Sequence, residues 1–186
     1  MRWVGCDPLL KQRVYFANHS SHLDFLAVWS SLPADIRRVT RPVAGKDYWD
    51  QGFIRKYLIY KVFNGVLIDR TKKVGHEDLE NPINVLLQVL KEGWSIIIFP
   101  EGTRNLEEGI KPFKSGIYHL SQQRQDIEFI PVHLENLNRI LPKGELLVVP
   151  MLGTVTFGAP LKLNVNEGKD YFLERARKEV ERLAEA

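Results

Sequence analysis

Cysteine is almost missing from this 186-residue chain: Cys6 stands alone. One thiol cannot close an intrachain disulfide or build a cysteine-rich zinc module, so the composition fits a reducing, cytoplasmic setting. Long apolar runs are missing too. No stretch reaches the roughly 18 residues that a membrane-spanning helix requires, and the first residues lack the order of a cleavable signal. There is no internal repeat and no low-complexity segment, and the 13 glycines and 10 prolines mark single turns rather than a linker. The G-x-S-x-G elbow of a serine hydrolase is absent.

The residues that are present describe a folded protein. With 44% hydrophobic and 26% charged residues, the chain has the composition of a globular protein and is long enough to bury a core as one domain, residues 1–186. Net charge is only +3, but it is unevenly spread. Residues 1–75 carry 13 Lys/Arg against 6 Asp/Glu, whereas residues 76–186 carry 13 against 17. A basic half fits an anionic partner such as a phosphorylated substrate, an acidic carrier protein or a membrane surface; it also fits a merely solvated face. Nucleic acid is set aside, because no recognition motif accompanies the basic residues.

Short β-rich runs alternate with helical patterns, which predicts an α/β fold. The runs "RVYFANH", "RRVTRPVAGK", "NGVLIDR", "SIIIFPEG", "IEFIPVHL" and "ELLVVPMLGTVTFG" read as strands. Helices are expected in "HLDFLAVWSSL", along "DYWDQGFIRKYLIYKVF", near Glu80 to Glu92, near Phe113 to Gln123, and from about Asn166 to the end, the last charged and capped. The wholly apolar "SIIIF" and "ELLVV" look buried on both faces, which favours a central mixed, largely parallel β-sheet flanked by helices.

Ligands of such sheets gather at the carboxyl ends of the strands, where His19 falls. If Ser20 or Ser21 caps the following helix, Asp24 sits in its first turn and can return to the imidazole. A carboxylate-held histidine is suited to take a proton from a hydroxyl. The same residues also serve as cap and turn, and the pair alone leaves both readings open. A metal-dependent hydrolase using His19, His22 and Asp24 is a weaker alternative. "HSSHLD" matches the H-x-H-x-D-H ligand set poorly, with one serine too many and Phe25 in the final ligand's place.

A second polar cluster, "FPEGTRN", ends the strand "SIIIF". Pro100 and Gly102 shape a tight turn, and Arg104 offers a planar fork for phosphate. Glu101 would repel that phosphate unless its carboxylate accepts hydrogen bonds or orients neighbouring cations.

Together these residues resemble the glycerolipid acyltransferases, the lysophosphatidic acid (1-acylglycerol-3-phosphate) acyltransferase family. Asn18, His19, Ser21 and Asp24 match its N-H-x-S-x-x-D block; "NGVLIDR", "FPEGTR" and "IPVHL" look like its second, third and fourth. "PFKSGI" and "VTFGAP" also look like family features. Asn105 stands where a serine is usual, and only 17 residues precede Asn18, so the chain is either a short member or a domain of a longer protein.

The resemblance implies a glycerol-3-phosphate acyltransferase-like fold. It also implies that His19, oriented by Asp24, deprotonates the acceptor hydroxyl, which attacks an acyl-CoA or acyl-carrier-protein thioester and converts lysophosphatidic acid or a related lysolipid to a product such as phosphatidic acid. Arg70, Glu101, Gly102, Thr103, Arg104 and Lys114 would bind the acceptor, and Pro131 would shape the acyl side. No metal and no cofactor is implied beyond the thioester co-substrate. The different-class alternative is a lipid-binding module without chemistry.

A lipid substrate raises the matter of the membrane. In the expected helix after "GKD", Trp49, Phe53, Tyr57 and Tyr60 recur at near-helical spacing beside Arg55, Lys56 and Lys61. Such a stripe either packs into the core or rests on an anionic bilayer. The expectation is a cytoplasmic protein held peripherally at the inner face of the membrane. Acyl-chain length and the acceptor's identity are not legible in the residues.

Overall fold

A computed structural model describes residues 1–21, 24–69, 81–105, 107, 109–135 and 153–185. In chain order its elements are β1 (Arg2–Trp3), β2 (Arg13–Ala17), α1 (Asp24–Ser31), α2 (Ala34–Arg38), β3 (Thr40–Gly45), α3 (Lys46–Trp49) and α4 (Phe53–Tyr57), which runs into a π turn at Leu58–Val62. There follow β4 (Val66–Ile68), α5 (Pro82–Lys91), β5 (Ser95–Ile98), α6 (Gly116–Gln123), β6 (Glu128–Glu135), β7 (Thr154–Phe157) and α7 (Lys169–Arg182), closed by a 3-10 turn at Leu183–Glu185.

Among the described residues the strands form one seven-stranded sheet in the order β1-β7-β6-β2-β5-β3-β4. β2, β3, β4, β5 and β6 run parallel, β7 is antiparallel to β6, and β1 is parallel to β7. This is the mixed, largely parallel sheet that the apolar runs predict. Its central strands β2 and β5 are buried along their whole length, which requires a helical layer on each face.

The two-residue side-chain period of a strand divides the core accordingly. Val14, Phe16, Ile96 and Ile98 meet Leu86, Leu90, Ile117, Leu120, Phe172 and Val180 of α5, α6 and α7. Tyr15, Ala17, Ile97 and Ile130 face the other way, onto Val28 of α1, Leu32 just after it and Ile36 of α2. Tyr15 stands between Ile97 and Ile130 in the pairing, so a slip of one residue would exchange the two layers.

Helix limits follow local chemistry. α5 begins at Pro82, two residues after the expected start, because the Asn81 side chain accepts the Ile83 N–H at 3.0 Å and Pro82 suits the first helical position. α7 starts later than expected, since Asn166 has a left-handed φ of 60°, incompatible with a right-handed helix. The capped start foreseen there is absent at Gly168, which carries no side chain. The largest correction concerns the continuous helix expected along "DYWDQGFIRKYLIYKVF". It is broken at Gly52, whose φ of 76° lies outside the helical region, so Trp49 and Phe53 belong to different helices. Of the strand expected in "ELLVVPMLGTVTFG", the described part is Thr154–Phe157; residues 145–152 lie outside the described residues.

Ile97 tests this layering. It is fully buried between Tyr15 and Pro42 in the sheet. Ile97→Ala should lower unfolding stability by about 2–5 kcal/mol, read as a fall in the urea midpoint with an unchanged slope.

Candidate active site

The site begins where β2 stops. After Ala17 the Asn18 side chain replaces one rung of the ladder: its Nδ2 donates to the Leu134 carbonyl at 2.9 Å, and the Leu134 N–H donates to its Oδ1 at 2.8 Å. Thus anchored to β6, the chain turns at His19 and enters α1 at Asp24. Asp24 is fully buried, and its carboxylate reaches back over the turn. Oδ2 accepts the Ser20 N–H at 2.6 Å and the Ser21 N–H at 2.8 Å, and lies 2.8 Å from His19 Nδ1.

An ionised carboxylate oxygen can only accept. The network therefore assigns the proton of a neutral His19 to Nδ1 and the lone pair to Nε2. The pair foreseen in the sequence is brought together.

β5 supplies the second half. Its next residue, Phe99, stacks on the His19 imidazole, with ring centres 4.4 Å apart and planes 24° from parallel. Glu101 is buried and turned toward the protein: Oε1 accepts the His19 N–H at 2.7 Å and Oε2 the Lys111 N–H at 3.1 Å. The Asn105 N–H returns to the His19 carbonyl at 2.7 Å. His19 is thus held at ring, N–H and carbonyl. Burial pushes the Glu101 carboxyl above its ordinary range, against the two main-chain donors, which favour the charged form. Asn105, which stands where the resemblance leads one to expect serine, is buried; its Nδ2 donates to the Gly109 carbonyl at 2.9 Å and its Oδ1 accepts the Glu107 N–H at 3.1 Å.

A cavity of about 560 Å³ opens beside this cluster. His19, Asp47, Thr103, Arg104, Lys114 and Ser115 line its polar part. Phe25, Trp49, Ile83, Leu86, Ile117 and Leu120 are among its apolar walls, supplied by α1, α3, α5 and α6. Gly102 adopts a φ of 74°, and a Cβ there would lie 2.7 Å from Lys114 Nζ, so the missing side chain makes room for the lysine. Two cations and a carboxylate thus stand with an imidazole beside an apolar trough, a mixed lining of the kind that suits an amphiphile.

Of the other residues singled out, Pro131 does not line this cavity. It lies buried in β6 opposite Phe16, and its Cγ packs near Gly158, because a central strand points its residues into the layers rather than over the edge. Arg70 and His22 lie outside the described residues. Among the described residues, no three His, Cys, Asp or Glu side chains gather as a ligand set. The stripe expected in one helix divides: Trp49 faces the cavity, edge-on to Phe25 at 5.4 Å, whereas Phe53, Tyr57 and Tyr60 are exposed. Of the cavity aromatics, Trp49 belongs to the stripe noted in the sequence, whereas for Phe99 the cue is its position directly after "SIII".

The fold and site together define an α/β domain with a carboxylate-held imidazole and a cationic turn on adjacent parallel strands, opening on an apolar cleft. Residues 8–135 match the family model described as Acyltransferase, and the chain belongs to that family. It is 32% identical over 172 residues to a 1-acyl-sn-glycerol-3-phosphate acyltransferase of Cocos nucifera, covering 87% of this chain and 52% of the relative. Similarity to the enzyme of that name from Escherichia coli (strain K12) is 28% over 152 residues, covering 75% and 55%. The chain spans about half the length of the curated relatives it matches. The crystal structure of the 1-acyl-sn-glycerophosphate (LPA) acyltransferase PlsC from Thermotoga maritima superposes with a TM-score of 0.70 at 20% identity, covering 100% of this chain and 73% of that one. The fold is therefore shared.

Glu101→Gln should destabilise the protein by about 1–3 kcal/mol, because one of the two main-chain N–H groups would then face an amide donor. The sign of the pH effect follows from the raised pKa. A carboxyl that holds its proton more tightly in the fold contributes fully below the ordinary carboxylate range and loses that contribution as pH rises through the raised value. Urea titrations across acidic pH should show this limb in the parent and its loss in E101Q.

Proposed function

We propose that this chain transfers a fatty acyl group from a thioester, acyl-CoA or acyl-carrier protein, to the free hydroxyl of lysophosphatidic acid, giving phosphatidic acid and a free thiol. The carrying observation is the convergence of three donors on Asp24 Oδ2, which leaves His19 Nε2 as the basic nitrogen in a cavity with two cations. His19 Nε2 takes the hydroxyl proton as the oxygen attacks the thioester carbonyl. Asp24 stabilises the imidazolium formed. As the tetrahedral intermediate collapses, the carbon–sulfur bond breaks and the imidazolium returns its proton to the departing sulfur. No acyl-enzyme is required, so Ser20 and Ser21 serve through their N–H groups.

Arg104 and Lys114 hold the acceptor phosphate, with Thr103 and the Gly102 turn beside them and Arg70 as a further cation on the same ligand. Glu101 acts by holding the main chain of His19. The apolar walls take the fatty chain. The fold family of relatives named for 1-acyl-sn-glycerol-3-phosphate supports this acceptor over other lysolipids. Because both the acceptor and the product are membrane lipids, the protein works peripherally at the inner face of a membrane; no described helix is long and apolar enough to cross one.

The test is thiol release from purified protein given acyl-CoA and lysophosphatidic acid. His19→Ala and Asp24→Asn should each lower kcat by about 10²–10⁴-fold, the usual worth of positioned proton transfer. Arg104→Ala should act mainly on KM for the phosphorylated acceptor. A His19→Ala variant with the parental rate would remove the proposed base.

A further inference from the structure

We infer that the knuckle formed by α4 and its π turn, residues 53–62, is the surface by which this protein docks on an anionic lipid bilayer, holding the cleft mouth against the membrane. The inference rests on the reading of that cleft as a lipid site.

Within ten positions the knuckle exposes Phe53 at 85%, Ile54 at 73%, and Tyr57, Tyr60 and Val62 at about half their surface (55%, 49% and 45%). Ile59 is the residue of this stretch that turns into the core. The other exposed large apolar residues among those described are scattered near the start of the chain and at Val165 and Tyr171. A contiguous apolar knuckle of this kind marks a contact surface. It also explains the break at Gly52: the turn swings α4 away from the core, so the apolar face that a helix ordinarily buries is presented outward instead.

The surrounding charge selects the occupant. Arg55, Lys56 and Lys61 are exposed between the rings and complement anionic headgroups. Lys56 pairs with Asp50 at 3.1 Å, both half-exposed, a contact of the kind that a field of headgroups displaces easily. A protein partner or a second copy is disfavoured, since lysine is depleted in protein interfaces, whereas tyrosine beside lysine and arginine is the ordinary equipment of the bilayer interface. Continuity with the cleft adds the orientation. Arg55 lies over the Tyr48 ring, 4.2 Å from its centre, and Tyr48 and Trp49 line the cavity. Arg55 Nη1 also donates to the Tyr48 carbonyl at 3.4 Å, so the docking surface and the cleft wall are adjacent and joined through Arg55.

Co-sedimentation of the full chain with vesicles, without substrate, tests this apart from catalysis. The parent should bind phosphatidylglycerol-containing vesicles at low salt and bind pure phosphatidylcholine vesicles at least about tenfold more weakly. The double variant Phe53→Ser, Ile54→Ser should lose at least about tenfold in partitioning, since two exposed apolar side chains are withheld from the bilayer. Lys61→Glu should weaken anionic binding while leaving the apolar residues in place. All three proteins should melt alike, because the changed residues are exposed. His19→Ala should bind vesicles as the parent does, so loss of the acyl-transfer reading and loss of the docking reading give different results. Thiol release with a short-chain, monomeric lysophosphatidic acid should be unchanged in the double variant. Unaltered vesicle binding by that variant, equal binding of the parent to neutral vesicles, or a parental dimer that the variant dissociates would each overturn the inference.

Discussion

Asp24 Oδ2 collects three contacts within six residues of chain: the N–H groups of Ser20 and Ser21 and the Nδ1 of His19. That convergence ties His19, Ser20 and Ser21 to the first residue of α1, and it selects one imidazole tautomer at the same time. It has a cost. Oδ1 of the same carboxylate is buried without a hydrogen-bond partner among the described residues, and such an orphan costs about 1–3 kcal/mol. Two features hold the arrangement in spite of that cost. Asn18 ties the strand end to Leu134, and α1 packs through Val28 onto the sheet.

Glu101 extends the same logic across strands. A carboxylate near a site meant for an anion would be a liability if it faced the cleft. Instead both of its oxygens are taken by main-chain donors, one of them the N–H of His19 itself. Glu101 therefore presents no carboxylate to the cleft, where Arg104 and Lys114 stand with Asp47 as the acidic residue of the lining. Phe99 completes the clamp, since a ring stacked on the imidazole restricts its rotation without competing for either nitrogen. The His19 imidazole is therefore positioned from its own turn by Asp24 and from the neighbouring strand by Glu101, Phe99 and Asn105.

What the sequence makes legible depends on distance along the chain. His19 and Asp24 are five residues apart, close enough for a turn and a helical start to explain their meeting. Short apolar runs such as "SIIIF" announce buried strands because their length excludes most helices. Glu101 and His19 are 82 residues apart, and their contact exists only because β5 pairs with β2, a fact of topology that local patterns do not carry. The same holds for Asn18 and Leu134, 116 residues apart. The expected helix across Gly52 failed for a different reason. Aromatic spacing on both sides mimics one period, while a single left-handed glycine between them resets the chain's direction. Pro131 illustrates the limit of resemblance: a block can be present in order while its residue packs into the sheet rather than the cleft.

Parallel pairing explains why these pieces meet at all. β2, β3 and β5 end on one side of the sheet, so the segments that follow them are neighbours whatever their separation in sequence. After β2 and β5 come the short polar turns of His19 and Glu101, braced by hydrogen bonds and fit to hold a proton acceptor in one place. After β3 comes a broken helical segment whose first part, Tyr48 and Trp49, walls the cleft and whose second part turns its apolar residues to solvent. An amphiphile makes two demands that conflict within one pocket, because fixed charge requires polar bracing while an acyl chain requires a surface with none. The sheet separates them by strand: the polar bracing gathers at β2 and β5, and the apolar wall extends from β3 toward α5 and α6. The His19 turn and the wall from β3 are thus packed largely apart, with Phe99, which lines the cavity and stacks on the imidazole, as a residue the two share.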